Sequence, residues 1–280
     1  MLKKILEEIV ETKKRAGVPN YVIKIFLKEY LQYPVLNYLY NSRQYKDLVF
    51  TGGSCLRICF NGPRLSEDLD FDLLPEKYDE LDLHKLAKEL KNIFETKYLF
   101  PLETKCQGKM RIYLKFPVLR ELELASIQES DLLYVKLEFS PASSKRLKTE
   151  LTPISRYNYN FMAKNYPLPA LMAKKINAFL ARTWFKGKEN EIDIKGRDFY
   201  DLFWYLQKGI QPDFASLDKK IKTKDFAQLK KILLDRIEKK ATARKLSYDL
   251  KNFFPDQNFI DDFCKNYKAI IKPYLIAKKE

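Results

Sequence analysis

The residues that could do chemistry concentrate between Leu48 and Leu73, in the run LVFTGGSCLRICFNGPRLSEDLDFDL. Asp68 and Asp70 alternate along an expected strand, so both carboxylates share one face. Two strand residues span about 6.6 Å. At an effective dielectric of about 20, two carboxylates at that separation repel by roughly 2–2.5 kcal/mol. Asp72 lies on the same face and adds to the repulsion. A cation turns that cost into a gain, and magnesium, which prefers carboxylate oxygens together with substrate phosphates, suits such a pair. Upstream stands Gly52-Gly53-Ser54, at the point where a strand runs into a helix. Glycines admit a ligand close to the backbone, and the N–H groups of a helix start favour phosphate. Each feature alone is common: many strand-to-helix turns contain GGS, and an isolated DxD is more often a solvated strand face. Ser54 and Asp68 lie fourteen residues apart, and together the two features supply the parts for two-metal phosphoryl transfer.

The elements that must position these groups follow from periodicity. Leu48–Thr51 reads as a short apolar strand, Ser54–Phe60 as a helix with Ser54 as its cap, Gly62-Pro63 as a loop, and Leu69–Leu73 as an alternating strand. An amphipathic helix over 3–16 and a second from Tyr21 to Gln32 precede them. A helix over Leu83–Thr96 follows, then strands around Phe100–Cys106 and Met110–Phe116 joined at Gly108, and a strand over Leu132–Phe139 ended by Pro141. After about residue 165 only helical periods remain: Leu168–Thr183, Asp198–Gln207, Phe226–Lys239, Thr242–Phe253 and Phe259–Ile276. The expectation is an α+β chain, with a mixed sheet and N-terminal helices in residues 1–165 and an all-helical lobe in 166–280. A cleft between the lobes is expected, and there is no internal repeat.

Composition narrows the chemistry. The 280 residues are 46% hydrophobic and 14% aromatic, enough for a substantial core and against disorder. One histidine, His84, leaves little for hydrolases with a histidine base or for His-based zinc sites. The cysteines at 55, 59, 106 and 264 form no CxxC pair and fit free thiols in a reducing cytoplasm. The chemistry therefore falls to carboxylates. The formal charge of +15 favours polyanions, and it is uneven. Residues 1–46 carry nine Lys/Arg against four Asp/Glu, and 211–280 carry seventeen against ten, while the centre is nearly balanced. A solvated helix face explains any one lysine patch equally well. The longest stretch without charge, Tyr30–Ser42, has 13 residues, short of the roughly 20 a spanning helix needs, so no membrane role is expected. The N-terminus resembles neither a signal peptide nor a transit peptide.

Taken together, Gly52-Gly53-Ser54, Leu56-Arg57, Arg64, Ser66 and Asp68-Leu69-Asp70-Phe71 resemble the signature of the abortive-infection toxins of the AbiEii/AbiGii type, GG(T/S)xLR followed after a short gap by RxSxDLDF. Leu65 stands where phenylalanine is commoner. The resemblance continues in Lys175-Ile176-Asn177-Ala178, Arg182 and Arg197-Asp198-Phe199-Tyr200-Asp201-Leu202, and it covers roughly residues 45–210.

That resemblance implies a polymerase-beta-like nucleotidyltransferase core and a nucleoside triphosphate substrate. It implies metal binding by Asp68 and Asp70, with magnesium or manganese as the ion, and nucleotide binding by Gly52, Gly53, Ser54 and Arg57. Lys175 would contact nucleotide phosphate, Lys174 being its neighbour and competitor for the role, and Asp198 would be functional. Enzymes of this type usually have a third carboxylate on a later strand. Glu138, on one face with Tyr134 and Lys136, is the candidate metal ligand, and a plain surface glutamate is an equal reading. The implied partners are RNA, such as the 3′ end of tRNA, and a cognate antitoxin, in the cytoplasm. The competing readings are AMP transfer or phosphotransfer to a protein, and a non-catalytic RNA- or partner-binding module on the same fold.

Overall fold

The strand patterns of the first half combine into one seven-stranded mixed sheet, in the order β3-β4-β5-β2-β1-β7-β6. The strands are β1 (Val49–Thr51), β2 (Asp68–Leu73), β3 (Glu103–Gln107), β4 (Arg111–Pro117), β5 (Leu132–Pro141), β6 (Glu150–Arg156) and β7 (Tyr159–Asn165). The helices are α1 (Leu2–Arg15), α2 (Asn20–Asn41), α3 (Gly52–Phe60), α4 (Pro75–Asp79), α5 (Leu83–Thr96), α6 (Leu168–Ala181), α7 (Gly196–Gln207), α8 (Phe226–Lys240), α9 (Ala243–Leu250) and α10 (Gln257–Leu275). This computed structural model describes residues 2–142, 148–182, 184–187, 189–221, 223 and 225–276. Thr183, the expected last residue of its helix, lies outside the described residues.

The central strands set up the site. β2 pairs antiparallel with β1, with Thr51 opposite Asp70, and parallel with β5, with Asp70 beside Glu138. Alternation along β2 buries Leu69, Phe71 and Leu73, while Asp68 and Asp70 are half-buried. Phe50, Phe71 and Phe139 stack across β1, β2 and β5 with successive ring centroids 5.5 Å apart. Those aromatic contacts resist a one-residue slip, which would turn both aspartates into the core.

Among the differences from the sequence expectation, three concern how elements begin, end or pair. α2 runs on to Asn41, through Pro34, instead of ending at Gln32. A proline inside a helix removes a hydrogen bond and costs about 3 kcal/mol. Here α2 packs against α1, β5 and β7, and burial of Leu31, Tyr33, Val35, Leu36 and Leu39 offsets that loss. The helix after β1 starts at Gly52, so Ser54 lies inside it and not at its cap; Thr51 is the N-cap residue and makes no side-chain cap bond. The hairpin β6–β7 was not expected. It turns tightly at Tyr157 and Asn158, both with positive φ, and Pro153 sits on β6 at the edge of the sheet, where its missing donor is tolerated.

The chain divides into two compact units, Met1–Tyr166 and Pro167–Glu280. Helices α6 to α10 make up the second, with Phe199, Tyr200, Phe263 and Tyr267 forming an aromatic cluster in its core. Among the described residues no helix is long and apolar enough to cross a membrane.

Candidate active site

At the end of β1 the chain enters α3 through Gly52, whose φ of +74° favours glycine. A Cβ there would fall on the Asp70 carboxylate, 2.9 Å from its carbon. A Cβ on Gly53 would collide with the Arg64 guanidinium and lie 2.8 Å from the Ser66 hydroxyl. The two glycines thus let the helix start approach Asp70 on one side and Arg64 and Ser66 on the other. Arg64 is buried and donates to the Leu65 carbonyl at 3.0 Å. Ser54 is fully buried, and its hydroxyl donates to the backbone carbonyl of Asp68. Its side chain therefore fastens the helix start to the carboxylate strand. Any phosphate contact at this turn falls to backbone N–H groups, which have no side-chain cap to satisfy them.

Beside Asp70, Glu138 is not an open ligand. Arg111 grips its carboxylate with two bonds of 3.1 and 3.3 Å, and the Lys136 ammonium lies 3.0 Å away. Burial alone would raise the Glu138 carboxyl, but these two cations outweigh it and hold it below the usual range. Lys136 also pairs with Asp68 at 3.1 Å, linking β2 to β5. Asp72, on the same strand as Asp68 and Asp70, is buried and accepts from the Tyr166 hydroxyl at 2.7 Å.

Arg57, expected to bind nucleotide, is paired within the fold. Its guanidinium makes bonds of 2.9 and 3.3 Å to the buried Glu29 of α2, and it donates to the carbonyls of Gly62 and Pro63. A planar fork matched to a carboxylate is a strong pairing, and here it anchors α3 to α2.

In the second unit Lys175 bridges two aspartates, Asp198 at 2.9 Å and Asp201 at 2.8 Å. Arg182 holds the other oxygen of Asp198. Asp198 and Asp201 are 3% exposed, so this is a buried ion network and not a solvated lysine on a helix face. Burial would raise the Asp198 carboxyl, but Lys175 and Arg182 keep it below its ordinary value. Arg197, next in sequence, gives its backbone N–H to Asp249 and stacks over Phe253.

The expected residues thus form two groups in different units. Gly52, Gly53, Ser54, Arg57, Asp68, Asp70 and Glu138 belong to the first, and Lys175 and Asp198 to the second. The supporting partners Glu29, Arg111, Tyr166 and Arg182 were given no role from the sequence. Lys136 was legible only as a face neighbour of Glu138, and Arg64 and Ser66 only as members of the motif.

A sequence model of the family described as nucleotidyl transferase AbiEii toxin, type IV toxin–antitoxin system, matches residues 35–280. The chain belongs to the AbiEii nucleotidyltransferase toxin family. Among solved structures it is similar to MenT4, a nucleotidyltransferase toxin from Mycobacterium tuberculosis, at 13% identity and a TM-score of 0.52, over 96% of this chain and 89% of that one. JHP933 from Helicobacter pylori matches at 15% identity and a TM-score of 0.45, over 90% and 91%. At such identities the MenT4 match speaks for the fold. No curated protein sequence matches the chain.

Asp68 and Asp70 fit a divalent cation: they are half-buried carboxylates of one strand, with Asp70 set against a helix start suited to phosphate. Among the described residues no group of three or more His, Cys, Asp or Glu could hold a metal ion. Asp68, Asp70 and the expected third ligand Glu138 therefore do not form such a group, Glu138 being paired with Arg111 and Lys136.

Proposed function

We propose that this AbiEii-family chain is a divalent-metal-dependent nucleotidyltransferase that moves a nucleotide from a nucleoside triphosphate to an RNA acceptor such as the 3′ end of tRNA. The observation that carries the reading is the Asp68–Asp70 pair packed against the Gly52-Gly53 helix start. Asp68 and Asp70 would hold magnesium, and the ion would supply neutralisation of the triphosphate and of charge developing in transfer. The backbone N–H groups at the start of α3 bind phosphate oxygens, and the two glycines let that helix start approach Asp70, Arg64 and Ser66. Ser54 and Arg57 position that helix, Ser54 through the Asp68 carbonyl and Arg57 through Glu29. Lys136 and Arg111 fix Glu138 and keep it anionic beside the pair. In transfer, a hydroxyl oxygen of the acceptor bonds to the α-phosphorus and gives its proton to solvent, the bond from the α-phosphorus to the bridging oxygen of the β-phosphate breaks, and pyrophosphate leaves. By family resemblance Lys175 supplies positive charge to the phosphate chain and Asp198 orients Lys175, which it contacts. A cognate antitoxin is the expected partner in a type IV system.

The test is incubation with each labelled triphosphate and total tRNA, with and without magnesium. Metal-dependent label on RNA supports the reading. Label on protein alone would replace it with protein modification, and no label from any triphosphate would remove the catalytic claim.

A further inference from the structure

The helical unit contains a cationic recess that has Asp198 in its wall and extends beyond the Lys175 contact proposed for transfer. It opens where the end of α6, the segment leading into α7, and α8 come together, and its walls include Arg182, Trp184, Lys195 and Arg236. Two carboxylates also face it, Asp193 and Asp198, but both are already neutralised. Asp198 is held by Lys175 and Arg182, and Asp193 by Lys240 and, at 2.8 Å, by Lys245. Counting Asp201, three carboxylates stand against six cations: Lys175, Arg182, Lys195, Arg236, Lys240 and Lys245.

The surplus resides in two side chains. Among the described residues, neither the Lys195 ammonium nor the Arg236 guanidinium has a carboxylate in an ion pair. Each lies over an aromatic ring of the wall, Lys195 at 5.7 Å from Trp184 and Arg236 at 5.6 Å from Phe179. The Arg236 Nε is buried and, among the described residues, has no hydrogen-bond partner. A buried donor left unpaired is unfavourable and calls for an acceptor. Burial, with Arg197 and Arg182 nearby, also pushes the Lys195 ammonium below its ordinary pKa, so its charge is held against both desolvation and like charge.

We propose that this recess is a phosphate-binding site, in which Arg182, Lys195 and Arg236 converge from three segments of the helical unit on one phosphate group. A tetrahedral oxyanion offers several acceptors to donors arriving from different directions, and guanidinium forks match it well. The group is either the tail of a nucleotide or a phosphodiester of RNA. The proposal rests on the reading of a nucleoside triphosphate substrate and an RNA acceptor, but it is read by binding alone, so its failure is distinguishable from a failure of transfer.

Of the two tryptophans, Trp184 lines the recess and Trp204 is buried in α7, so tryptophan emission reports occupancy. The full chain is titrated with inorganic phosphate, with ATP and with a short single-stranded RNA, in wild type, Lys195→Gln and Arg236→Gln. Each substitution is expected to weaken at least one probe about tenfold, the loss of one charge-assisted hydrogen bond. A loss confined to ATP assigns the nucleotide tail, and a loss confined to RNA assigns the backbone. Unchanged affinity for all three probes in both variants overturns the proposal. So does an equal loss in Lys231→Gln, which removes an exposed charge elsewhere on α8 and would show diffuse attraction only. If Arg236→Gln fails to fold, Lys195→Gln decides alone.

Discussion

Asp70 has two duties that one substitution separates. Its charge is proposed to hold the metal, while its volume packs against Gly52. Asp70→Asn keeps the volume and removes the charge, so nucleotide transfer should fall by about 10²–10³ with the circular dichroism spectrum and melting temperature near wild type. Transfer within a fewfold of wild type would take the metal assignment away from Asp70. Gly52→Ala is the converse. It leaves every charge in place but puts a Cβ onto the Asp70 carboxylate at a backbone φ of +74°. Strain at such a position costs about 1–3 kcal/mol, so Gly52→Ala should lower both the melting temperature and transfer. An unchanged melting curve would mean that the turn relaxes freely and that the contact with Asp70 is not fixed. The motif was legible at this scale because glycines and alternating carboxylates are few and local. The settings of Ser54, Arg57 and Glu138 were not, since each depends on a partner distant in sequence: the Asp68 carbonyl, Glu29 on α2, and Arg111 on β4.

Elements carry the next level. The buried network of α6 and α7 changes what Lys175→Ala should do. From sequence alone, by family resemblance, the lysine reads only as a contact for nucleotide phosphate. In the structure its ammonium sits between Asp198 and Asp201, both buried, and its removal takes a cation from each carboxylate. Breaking one side of a buried ion pair costs about 3–5 kcal/mol, so Lys175→Ala should lower the melting temperature markedly and confuse any activity assay. A near-wild-type melting temperature would mean that the network is solvated. Acid should act on the same elements. Asp198 and Asp193 in the helical unit and Glu138 on β5 all have carboxyls held below their ordinary values by cations that outweigh burial. Each group's stabilisation is fully present above the ordinary carboxylate pKa of about 4 and is lost as pH falls through the lower folded value. Stability should therefore be flat from neutral pH to about 5 and fall below about 4, with Asp198→Asn flattening that fall when followed by thermal melts. A melting temperature that holds constant down to pH 3 would contradict the depressed values. Elements with strong periods, such as α5 and α8, were legible from sequence, and the β6–β7 hairpin was not. Its β6 strand is largely exposed and contains Pro153, and its turn uses Tyr157 and Asn158 in place of a glycine, so neither apolar alternation nor turn chemistry marked it. α2 was cut short at Pro34 because local propensity opposes a helix there, and only tertiary burial overrides it.

At the scale of the whole molecule the dominant quantity is charge. Local neutralisation is extensive: Glu29, Glu138, Asp193 and Asp198 each have a basic partner, so the acidic side chains near the two candidate sites are already spent on internal pairs. The formal excess of +15 is what remains for outside partners. It resides mainly in residues 1–46 and 211–280, both rich in surface lysine. A protein acceptor needs no such excess, whereas an RNA acceptor releases counterions in proportion to the phosphates neutralised. For contact with about four phosphates of a single strand, raising monovalent salt from roughly 50 to 200 mM should lower RNA affinity about fiftyfold. Lys195→Gln or Arg236→Gln should reduce the slope of log affinity against log salt by about one if the recess takes an RNA phosphate. The measurement is RNA binding at four or five salt concentrations without nucleotide, so it is independent of catalysis. A flat dependence would direct the search to a protein or small-molecule acceptor. A steep slope left unchanged by both substitutions would place the RNA on the lysine-rich flanks and leave the recess to the nucleotide.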